Sequence, residues 1–447
     1  MRKELFCLYN ARMSMRLPSI LGLLVIGVIT LIPGTVHAAP SAITFTYQHH
    51  LFTIPVGAHP EWKQPTERWF FQGVEAIPPA RFLTCGKNTV IEPNWTRERS
   101  LDWNEEVIAT TIDRSIGSVL DRNAGTVTIR RSSTGSITFD GRGLTGRKVD
   151  LPLAAALTRT ALENEIQTVS LPIIETQPEI TVNDPELRNL GIKEVVTIGE
   201  SVFAKSPVNR RHNIGVGVAR FNGHLIPRGS VFSFDETLGP VNERTGYRKE
   251  LVIQGETTIP DYGGGLCQVS TTAYRGPWEY GMPILKRKNH SYAVSYYSPQ
   301  GTDATVYPPN VDIKFLNDTP GALLMQTFVD DQSRAFFIYY GTNDGRKTEI
   351  FGPYITDRQR APTGEKISYT TEIPVGEKRK AGEAHDGMKA MWYRKIVKEG
   401  SGATLDSTFS VYEARPITFQ LGVTPEDMAR LTSGVLSESP SWLPVSE

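Results

Sequence analysis

A cysteine, a histidine and an aspartate follow one another in the middle of this 447-residue chain, at Cys267, His290 and Asp303. These are the residue types of a cysteine hydrolase, in which the imidazole takes the thiol proton and the carboxylate fixes the tautomer of the imidazole. We therefore predict a catalytic site made of these three side chains. The backbone N–H of Cys267 and the side chain of Gln268 are then the expected donors to an oxyanion.

Three consecutive glycines, Gly263, Gly264 and Gly265, stand shortly before this cysteine. Glycine has no side chain to pack and loses the most backbone entropy on folding, so such a run suits a tight turn or a close approach to a ligand. The residues after the glycines predict the start of a helix, where the positive end of the helix dipole favours a thiolate. We expect the glycines, with the hydroxyls of Ser270 and Thr271, to bind a ligand.

The elements that position this site are predicted from periodicity and from proline. The helix that holds Cys267 is expected to be short, because a Gly-Pro pair at residues 276–277 falls in its third turn. Alternating residues predict one strand behind His290 and a second strand that contains Asp303. The two strands would form an antiparallel hairpin through residues 298–301 and bring the histidine to the aspartate.

Other interpretations of the same residues stay open. A buried His290 that bonds Asp303 would also fasten a hairpin without any chemistry, and the glycine turn would also serve a site that binds without turnover. Cys267 and Cys85 are the two cysteines that follow the N-terminal segment. In an oxidising compartment they would form a disulfide, so a reactive thiol and a disulfide are competing predictions.

Other kinds of site find little support in the sequence. His49 and His50 form an isolated pair, no second thiol lies near Cys267, and the glycine run lacks the Gly-Lys-Ser/Thr of a phosphate loop. We expect no metal and no cofactor. The chain has 48 Lys and Arg against 48 Asp and Glu, so it lacks the positive charge of a general nucleic-acid binder.

Residues 1–39 have the pattern of a signal peptide or of a membrane anchor. Basic residues precede an almost wholly apolar run at residues 20–32, and Val36, His37 and Ala38 resemble a cleavage site. The run is short for a transmembrane helix, which favours cleavage. Both interpretations predict an exported protein that is periplasmic, in the cell wall, or anchored outside the cytoplasm, with membrane contact only through this segment if it is uncleaved.

The segment around the cysteine also carries a family resemblance. Six ordered groups of residues resemble the VanW-like domain, which is named after vancomycin B-type resistance proteins. The groups are Arg211–Ile214, Phe221–Gly223 with Pro227–Phe234, Leu238–Pro240 with Thr245–Tyr247, Gly263–Thr272, Asn289–Tyr292 and Gly301–Val306. The resemblance implies a bacterial envelope protein more than it implies a reaction. In the first group, Arg211 and Asn213 are candidate ligand contacts, since a guanidinium binds anions. A solvated face or an internal salt bridge is the alternative for the arginine.

The whole chain is predicted to be an α+β, multi-domain protein with mixed and antiparallel sheets. Residues 40–188 resemble the peptidoglycan-binding domain that often precedes VanW-like domains, and residues 189–345 form the VanW-like domain with the glycine-loop-to-helix site. Residues 346–421 predict a small β-rich module. Residues 422–447 predict a mobile tail with one short helix from Pro425 to Leu431.

Two functional hypotheses follow. The first is an exported cysteine peptidase or acyl transferase that acts on peptidoglycan or its peptide stems through Cys267, His290 and Asp303. The second is a non-catalytic peptidoglycan-binding or glycopeptide-response accessory protein, with the glycine turn as part of a ligand groove. Fast alkylation of Cys267 at neutral pH would separate them, because it requires an activated thiol. A link to vancomycin comes from the family name alone.

Overall fold

The computed structural model describes the chain in three ranges, residues 40–78, 94–254 and 257–432. The predicted leader and Cys85 lie outside these ranges, and so does the end of the predicted tail. The described chain combines helices with small antiparallel and mixed sheets, which confirms the predicted α+β class. No helix in the three ranges is long and apolar enough to cross a bilayer.

The N-terminal region (residues 40–188) has its own apolar core. Its described elements are β1 (Ala42–Tyr47), β2 (His50–Pro55), β3 (Lys63–Phe71), β4 (Val74–Glu75), β5 (Trp95–Trp103), α1 (Glu105–Ile112), α2 (Ser118–Leu120), β6 (Thr126–Arg131), β7 (Ile137–Gly141), β8 (Gly146–Val149), α3 (Leu151–Glu163), β9 (Thr168–Ser170), β10 (Ile173–Thr176), β11 (Glu179–Val182) and α4 (Pro185–Asn189). Strand β1 lies between β2 and β9, and α1 packs against α3. Phe45, Trp62 and Ile112 are fully buried there.

The central region (residues 189–345) is organised around an antiparallel sheet with the strand order β12-β20-β19-β13. Its described elements are β12 (Glu194–Val202), α5 (Val208–Ala219), β13 (Leu225–Ile226), β14 (Val231–Ser233), α6 (Phe234–Leu238), β15 (Lys249–Gln254), β16 (Thr257–Tyr262), α7 (Leu266–Tyr280), β17 (Ile284–Lys286), β18 (Lys314–Leu316), β19 (Leu323–Val329) and β20 (Arg334–Gly341). Helix α7 lies across β12 and β20. Strands β15 and β16 form a separate two-stranded hairpin that leads into α7.

The C-terminal region (residues 346–432) has two three-stranded sheets, β21-β24-β25 and β22-β26-β23, and a final helix. Its elements are β21 (Lys347–Gln359), β22 (Glu365–Thr370), β23 (Lys378–Gly382), β24 (Gly387–Lys398), β25 (Gly402–Tyr412), β26 (Ile417–Gly422) and α8 (Pro425–Thr432). Trp392 of β24 is 1% exposed and joins the apolar core of the central region. Arg394 Nη1 donates to the carbonyl of Trp278 at 2.6 Å. The two regions therefore share packing.

Two glycines let α7 approach the sheet closely. Gly276 packs against Gly199 of β12, and an added Cβ at Gly199 would lie 2.0 Å from the carbonyl oxygen of Thr272. The hydroxyl of Thr197 donates to the carbonyl of Gly276 at 2.9 Å across the same contact. The sheet thus fixes the position of the helix that carries Cys267.

Helix α7 runs from Leu266 to Tyr280, so the predicted short helix was wrong. Pro277 lies inside the helix and has no N–H to give to the carbonyl of Ala273, four residues earlier. The hydroxyl of Tyr339 on β20 donates to that carbonyl at 2.6 Å. The sheet therefore supplies the hydrogen bond that the proline removes, and the helix continues.

Tyr339→Phe is expected to lower the free energy of unfolding by about 1–3 kcal/mol, because the buried carbonyl of Ala273 loses its donor. In a Pro277→Ala background the same change should cost less, since residue 277 then offers its own N–H. Urea unfolding of the four proteins measures both costs as a double-mutant cycle. Equal costs in the two backgrounds would contradict this account of α7.

The site loop (residues 287–313) carries His290 and Asp303, and it is not the predicted hairpin. It runs through turns and irregular segments between β17 and β18. Its prolines have no N–H to give to a strand ladder. The C-terminal region holds the loop instead: the N–H of Glu413 donates to the carbonyl of Ser291 at 2.8 Å.

Candidate active site

The glycine turn (Gly263, Gly264 and Gly265) leads from β16 into α7. Gly263 and Gly265 have φ angles of +85° and +114°, in the region that strains any residue with a side chain. The carbonyl of Gly264 accepts a hydrogen bond from Asn213 Nδ2 at 3.0 Å, and Asn213 also bonds the N–H and the C=O of Arg248. The turn is therefore held in a shape that only glycine adopts easily.

Cys267 lies in the first turn of α7, and its thiol is free and partly exposed. The sulfur lies 3.3 Å from Thr305 Oγ1 and 3.7 Å from the carbonyl oxygen of Val306. Both neighbours belong to the site loop. The thiol is therefore placed where the helix start and the site loop meet.

His290 is 2% exposed and is fixed on two sides. Its Nδ1 lies 2.5 Å from Asp303 Oδ2, and its backbone N–H donates to the same oxygen at 2.8 Å. Its ring stacks on Tyr297, with the ring centres 4.5 Å apart and the planes 14° apart. Its Nε2 is buried and makes no regular hydrogen bond within the described chain. The carboxylate thus holds Nδ1 as the N–H and leaves Nε2 for chemistry.

Asp303 is 1% exposed, and several donors surround it. Arg287 Nη2 lies 3.3 Å from Oδ1, and Arg287 Nε donates to the carbonyl of Asp303 at 2.7 Å. The hydroxyl of Tyr412, on β25, also donates to Oδ1. The C-terminal region thus contributes directly to the carboxylate that orients His290.

The three groups shift one another's pKa values in the direction of an ion pair. Burial acts to raise the pKa of the Cys267 thiol, but the hydrogen bond and charge of His290 outweigh it and lower that pKa to about 7. Burial acts to lower the pKa of His290, but Asp303 and Cys267 raise it to about 9. Burial likewise opposes ionisation of Asp303, while His290 and Arg287 hold its pKa well below the usual range. Between about pH 7 and pH 9 these values favour a thiolate beside an imidazolium.

The contact between Cys267 and His290 is loose. The ring is close enough to lower the pKa of the thiol, yet Nε2 lacks a hydrogen bond of regular geometry within the described residues. Catalytic hydrogen bonds are commonly long in a free enzyme and shorten when the substrate binds. The arrangement is therefore compatible with nucleophilic catalysis.

A groove of about 930 Å³ opens onto Cys267 and His290. Its walls are the glycine turn, the β15–β16 hairpin, the site loop and one segment of the C-terminal region. Aromatic and acidic side chains contribute much of this lining: Asp235, Glu236, Glu250, Asp261, Tyr262, Tyr292, Tyr296, Tyr297, Tyr307 and Glu383. The volume lies in the range of small-molecule and peptide sites.

Residues 209–339 match the family model described as VanW like protein, and this segment contains the glycine turn, Cys267, His290 and Asp303. Residues 209–339 are therefore a VanW-like segment within a longer chain. It is 31% identical over 125 residues to the uncharacterized protein YoaR of Bacillus subtilis (strain 168). It is 26% identical over 129 residues to the vancomycin B-type resistance protein VanW of Enterococcus faecalis (strain ATCC 700802 / V583).

These matches concern a limited part of each protein. Each covers 28% of this chain, and the chain spans 41% of YoaR and 46% of VanW. The crystal structure of HP0197-G5 matches 17% of this chain over 97% of its own length, with 19% identity and a TM-score of 0.09, which is too low to assign a shared fold. The resemblance of the N-terminal region to a peptidoglycan-binding domain stays a prediction.

In the VanW-like segment, Gln268 follows Cys267 on α7. It is 0% exposed, and its Oε1 accepts a hydrogen bond from Arg210 Nη2 at 3.0 Å. Its Nε2 is buried without a partner in the described chain. Arg210 also stacks over Tyr296, at 4.2 Å from the ring centre, and lines the groove. The predicted role of Gln268 at an oxyanion stays a prediction.

The other predicted ligand contacts divide into two groups. The glycine turn lines the groove, whereas Ser270 and Thr271 are 0% exposed and are not part of its lining. Their hydroxyls donate to the carbonyl of Ala304, at 2.6 Å and 3.2 Å, and so hold the site loop on α7. Arg211 is exposed on α5 outside the groove lining, and buried Asn213 clamps the glycine turn.

Sequence reasoning missed three side chains that build this site: Arg287, Tyr297 and Tyr412. Arg287 and Tyr297 lie within the VanW-like match, but neither belongs to a motif that predicts a catalytic partner. Tyr412 is 109 positions from Asp303 and lies in a region assigned to another module. No signal in the sequence joins it to the carboxylate, because only the fold brings the two together.

Proposed function

We propose that this protein is a cysteine-dependent acyl transferase or hydrolase, with Cys267 as nucleophile, His290 as acid and base, and Asp303 as the group that orients His290. One observation carries the proposal. The buried carboxylate of Asp303 binds Nδ1 of the buried His290. The same imidazole lowers the pKa of the Cys267 thiol, which lies at the start of a helix and lines the groove. This arrangement is the one that nucleophilic thiol catalysis requires.

The groups support a two-step reaction. The thiolate of Cys267 attacks an acyl carbon, and the carbonyl π electrons move onto oxygen to give a tetrahedral oxyanion. The oxyanion collapses to a thioester, and the departing amine takes the proton of the His290 imidazolium. His290 then removes a proton from water or from a second amine, which attacks the thioester and releases Cys267 as a thiolate. Asp303 keeps Nδ1 as the N–H throughout.

The helix start offers a donor for the oxyanion. The N–H groups of Leu266 and Gln268 donate to the carbonyls of Gly263 and Gly265, each at 2.9 Å. Among the backbone N–H groups of Leu266, Cys267 and Gln268, only that of Cys267 has no acceptor within the described chain. Such a preorganised donor, together with the dipole of α7, favours charge that develops beside the sulfur.

The cell envelope and peptidoglycan peptides belong to the same proposal. The leader pattern of residues 1–39 supports export, and the resemblance of residues 40–188 supports a peptidoglycan-binding region ahead of the active site. One relative is named as a vancomycin B-type resistance protein. The proposed substrate is therefore an amide or ester bond in a peptidoglycan stem peptide.

Incubation of the purified protein with bacterial sacculi tests this function. The expected result is the release or exchange of stem-peptide fragments, detected by mass spectrometry, with complete loss in Cys267→Ala. Cys85→Ala is the matched thiol control and should retain activity. Binding to sacculi that is equal in the wild-type protein and in Cys267→Ala, with no change in the stem peptides, would overturn the catalytic proposal and support the accessory protein instead.

A further inference from the structure

Two carboxylates occupy directly paired positions on one wall of the groove. Glu250 of β15 pairs directly with Asp261 of β16 in the antiparallel hairpin, and both side chains line the groove. Like charges that lie directly opposite on neighbouring strands destabilise the strand pair. A cation between the two carboxylates would turn this repulsion into attraction.

The protein itself provides no such cation among its described residues. Glu250 Oε1 accepts the N–H of Leu251 at 2.9 Å, and Asp261 Oδ1 accepts the N–H of Tyr262 at 2.7 Å. Neither carboxylate forms a salt bridge within the described chain. Glu383 in the same groove differs, because Lys380 lies 2.7 Å from its carboxylate.

Most of the other charged side chains of the groove are also acidic: Asp235, Glu236 and Glu383, against Arg210 and the imidazolium of His290. Both carboxylate oxygens of Asp235 are buried and make no hydrogen bond within the described chain. Burial, with the charge of Asp312, raises the pKa of Asp235 to about 7. Arg210 is the single Lys or Arg of the described lining, and its guanidinium already bonds Ser206 and Gln268.

An acidic wall alone does not make a site, but this groove carries independent signs of a ligand. Asp235 lines the same groove, and both of its carboxylate oxygens are buried without a hydrogen-bond partner in the described chain, so a donor from a ligand would satisfy them. The wall is also tied to the nucleophile, since an added Cβ at Gly264 would lie 2.8 Å from Glu250 Cβ. No three His, Cys, Asp or Glu side chains converge as metal ligands in the described chain, which favours an organic cation.

We propose that the groove selects a substrate with a protonated amino group, which lies between Glu250 and Asp261 while the acyl carbon reaches Cys267. This inference rests on the proposed function and adds its substrate class: a peptide that carries a primary ammonium close to the bond that reacts. An ammonium donates three hydrogen bonds and pairs with carboxylates, so it can bind Glu250 and Asp261 at the same time.

Charged thiol reagents test the inference at the nucleophile itself. Two methanethiosulfonates are compared, one with a trimethylammonium tail and one with a sulfonate tail. In each reaction the thiolate attacks the sulfenyl sulfur, a mixed disulfide forms and methanesulfinate leaves. Mass spectrometry of the Cys267 peptide gives the two rates, and their ratio, normalised to that of a free cysteine peptide, reports the charge that the reagent meets.

The wild-type ratio is expected to favour the cationic reagent, and Glu250→Gln combined with Asp261→Asn should reduce it about tenfold at low ionic strength. Each single variant should give part of this loss. Glu349→Gln is the matched control, because Glu349 is exposed, pairs with Lys395 and lies outside the groove lining. The double variant removes a repulsion, so its thermal stability is expected to match or exceed that of the wild-type protein.

The two ways of failing are distinguishable. An unchanged ratio in the double variant, with Cys267 still reacting fast, would overturn the cationic substrate and leave the proposed function in place. A wild-type Cys267 that reacts with both reagents no faster than the free cysteine peptide would overturn the proposed function and this inference together.

Discussion

His290→Ala is expected to slow the alkylation of Cys267 by iodoacetamide about 10- to 50-fold at pH 7. The imidazole is the main group that lowers the pKa of the thiol to about 7, against the effect of burial. Without it the pKa should return to about 8.5 or higher, and the thiolate fraction at pH 7 falls accordingly. The rate at Cys267 is measured by mass spectrometry of its peptide.

The pH dependence of the alkylation rate of Cys267 tests the same prediction. In the wild-type protein the rate should rise with a midpoint near pH 7, because the thiolate forms above the pKa of Cys267. The proposed acyl transfer also needs the imidazolium, which is lost as the pH rises through about 9. Turnover should therefore follow a bell with limbs near these two values, and the limbs describe the pair of groups. In His290→Ala the alkylation midpoint should move above pH 8.

A histidine in the same groove provides the control. His385 lines the groove and packs against Tyr292 with the ring planes tilted by 33°, and no hydrogen bond joins it to the thiol in the described chain. His385→Ala should leave the alkylation midpoint of Cys267 near pH 7. If His290→Ala reacted as fast as His385→Ala and the wild-type protein, the thiol would not be activated by His290 and the catalytic assignment would fail.

Asp303→Ala is expected to lower the free energy of unfolding by about 3–5 kcal/mol, since it leaves buried positive charge without its partner. Asp303 is 1% exposed and binds His290, Arg287 and Tyr412 at once. The variant should also lose the fast alkylation of Cys267, because the imidazole loses the group that raises its pKa. Asp303→Asn keeps the side-chain volume and should cost less.

Acid unfolding checks the sign of this contribution. The pKa of Asp303 in the folded protein lies below the usual range, so its stabilisation is fully present above the unfolded value of about 3.9 and is lost as the pH falls below it. The difference in stability between the wild-type protein and Asp303→Ala should therefore shrink in acid. Asp331→Ala, at an exposed turn, is the control and should change stability by less than about 0.5 kcal/mol. A cost below about 1 kcal/mol for Asp303→Ala would contradict the buried network.

The boundary predicted after residue 345 separates parts that the fold joins. The hydroxyl of Tyr412 binds Asp303, and Trp392 Nε1 donates to the carbonyl of Gln300 at 2.8 Å. Sequence periodicity detects each strand of the C-terminal region, but it contains no information about which surface the strands cover. The C-terminal region therefore contributes to the candidate active site as well as to its own two sheets.

The sequence by itself determined the parts of this protein that depend on a few neighbouring residues. The glycine turn requires positive φ angles, and the start of α7 follows from the residues beside it, so both are visible without a structure. The order of Cys267, His290 and Asp303 and the VanW-like match are likewise properties of the chain alone.

Only the tertiary structure decided how those parts meet. It extended α7 past Pro277 with a hydroxyl from β20, brought His290 to Asp303 through an irregular loop, and turned Ser270 and Thr271 away from the groove. These outcomes depend on packing and hydrogen bonds between residues far apart in sequence, whose energies no local pattern encodes. The charge of the groove also depends on the tertiary structure, since carboxylates from separate strands lie together on one wall.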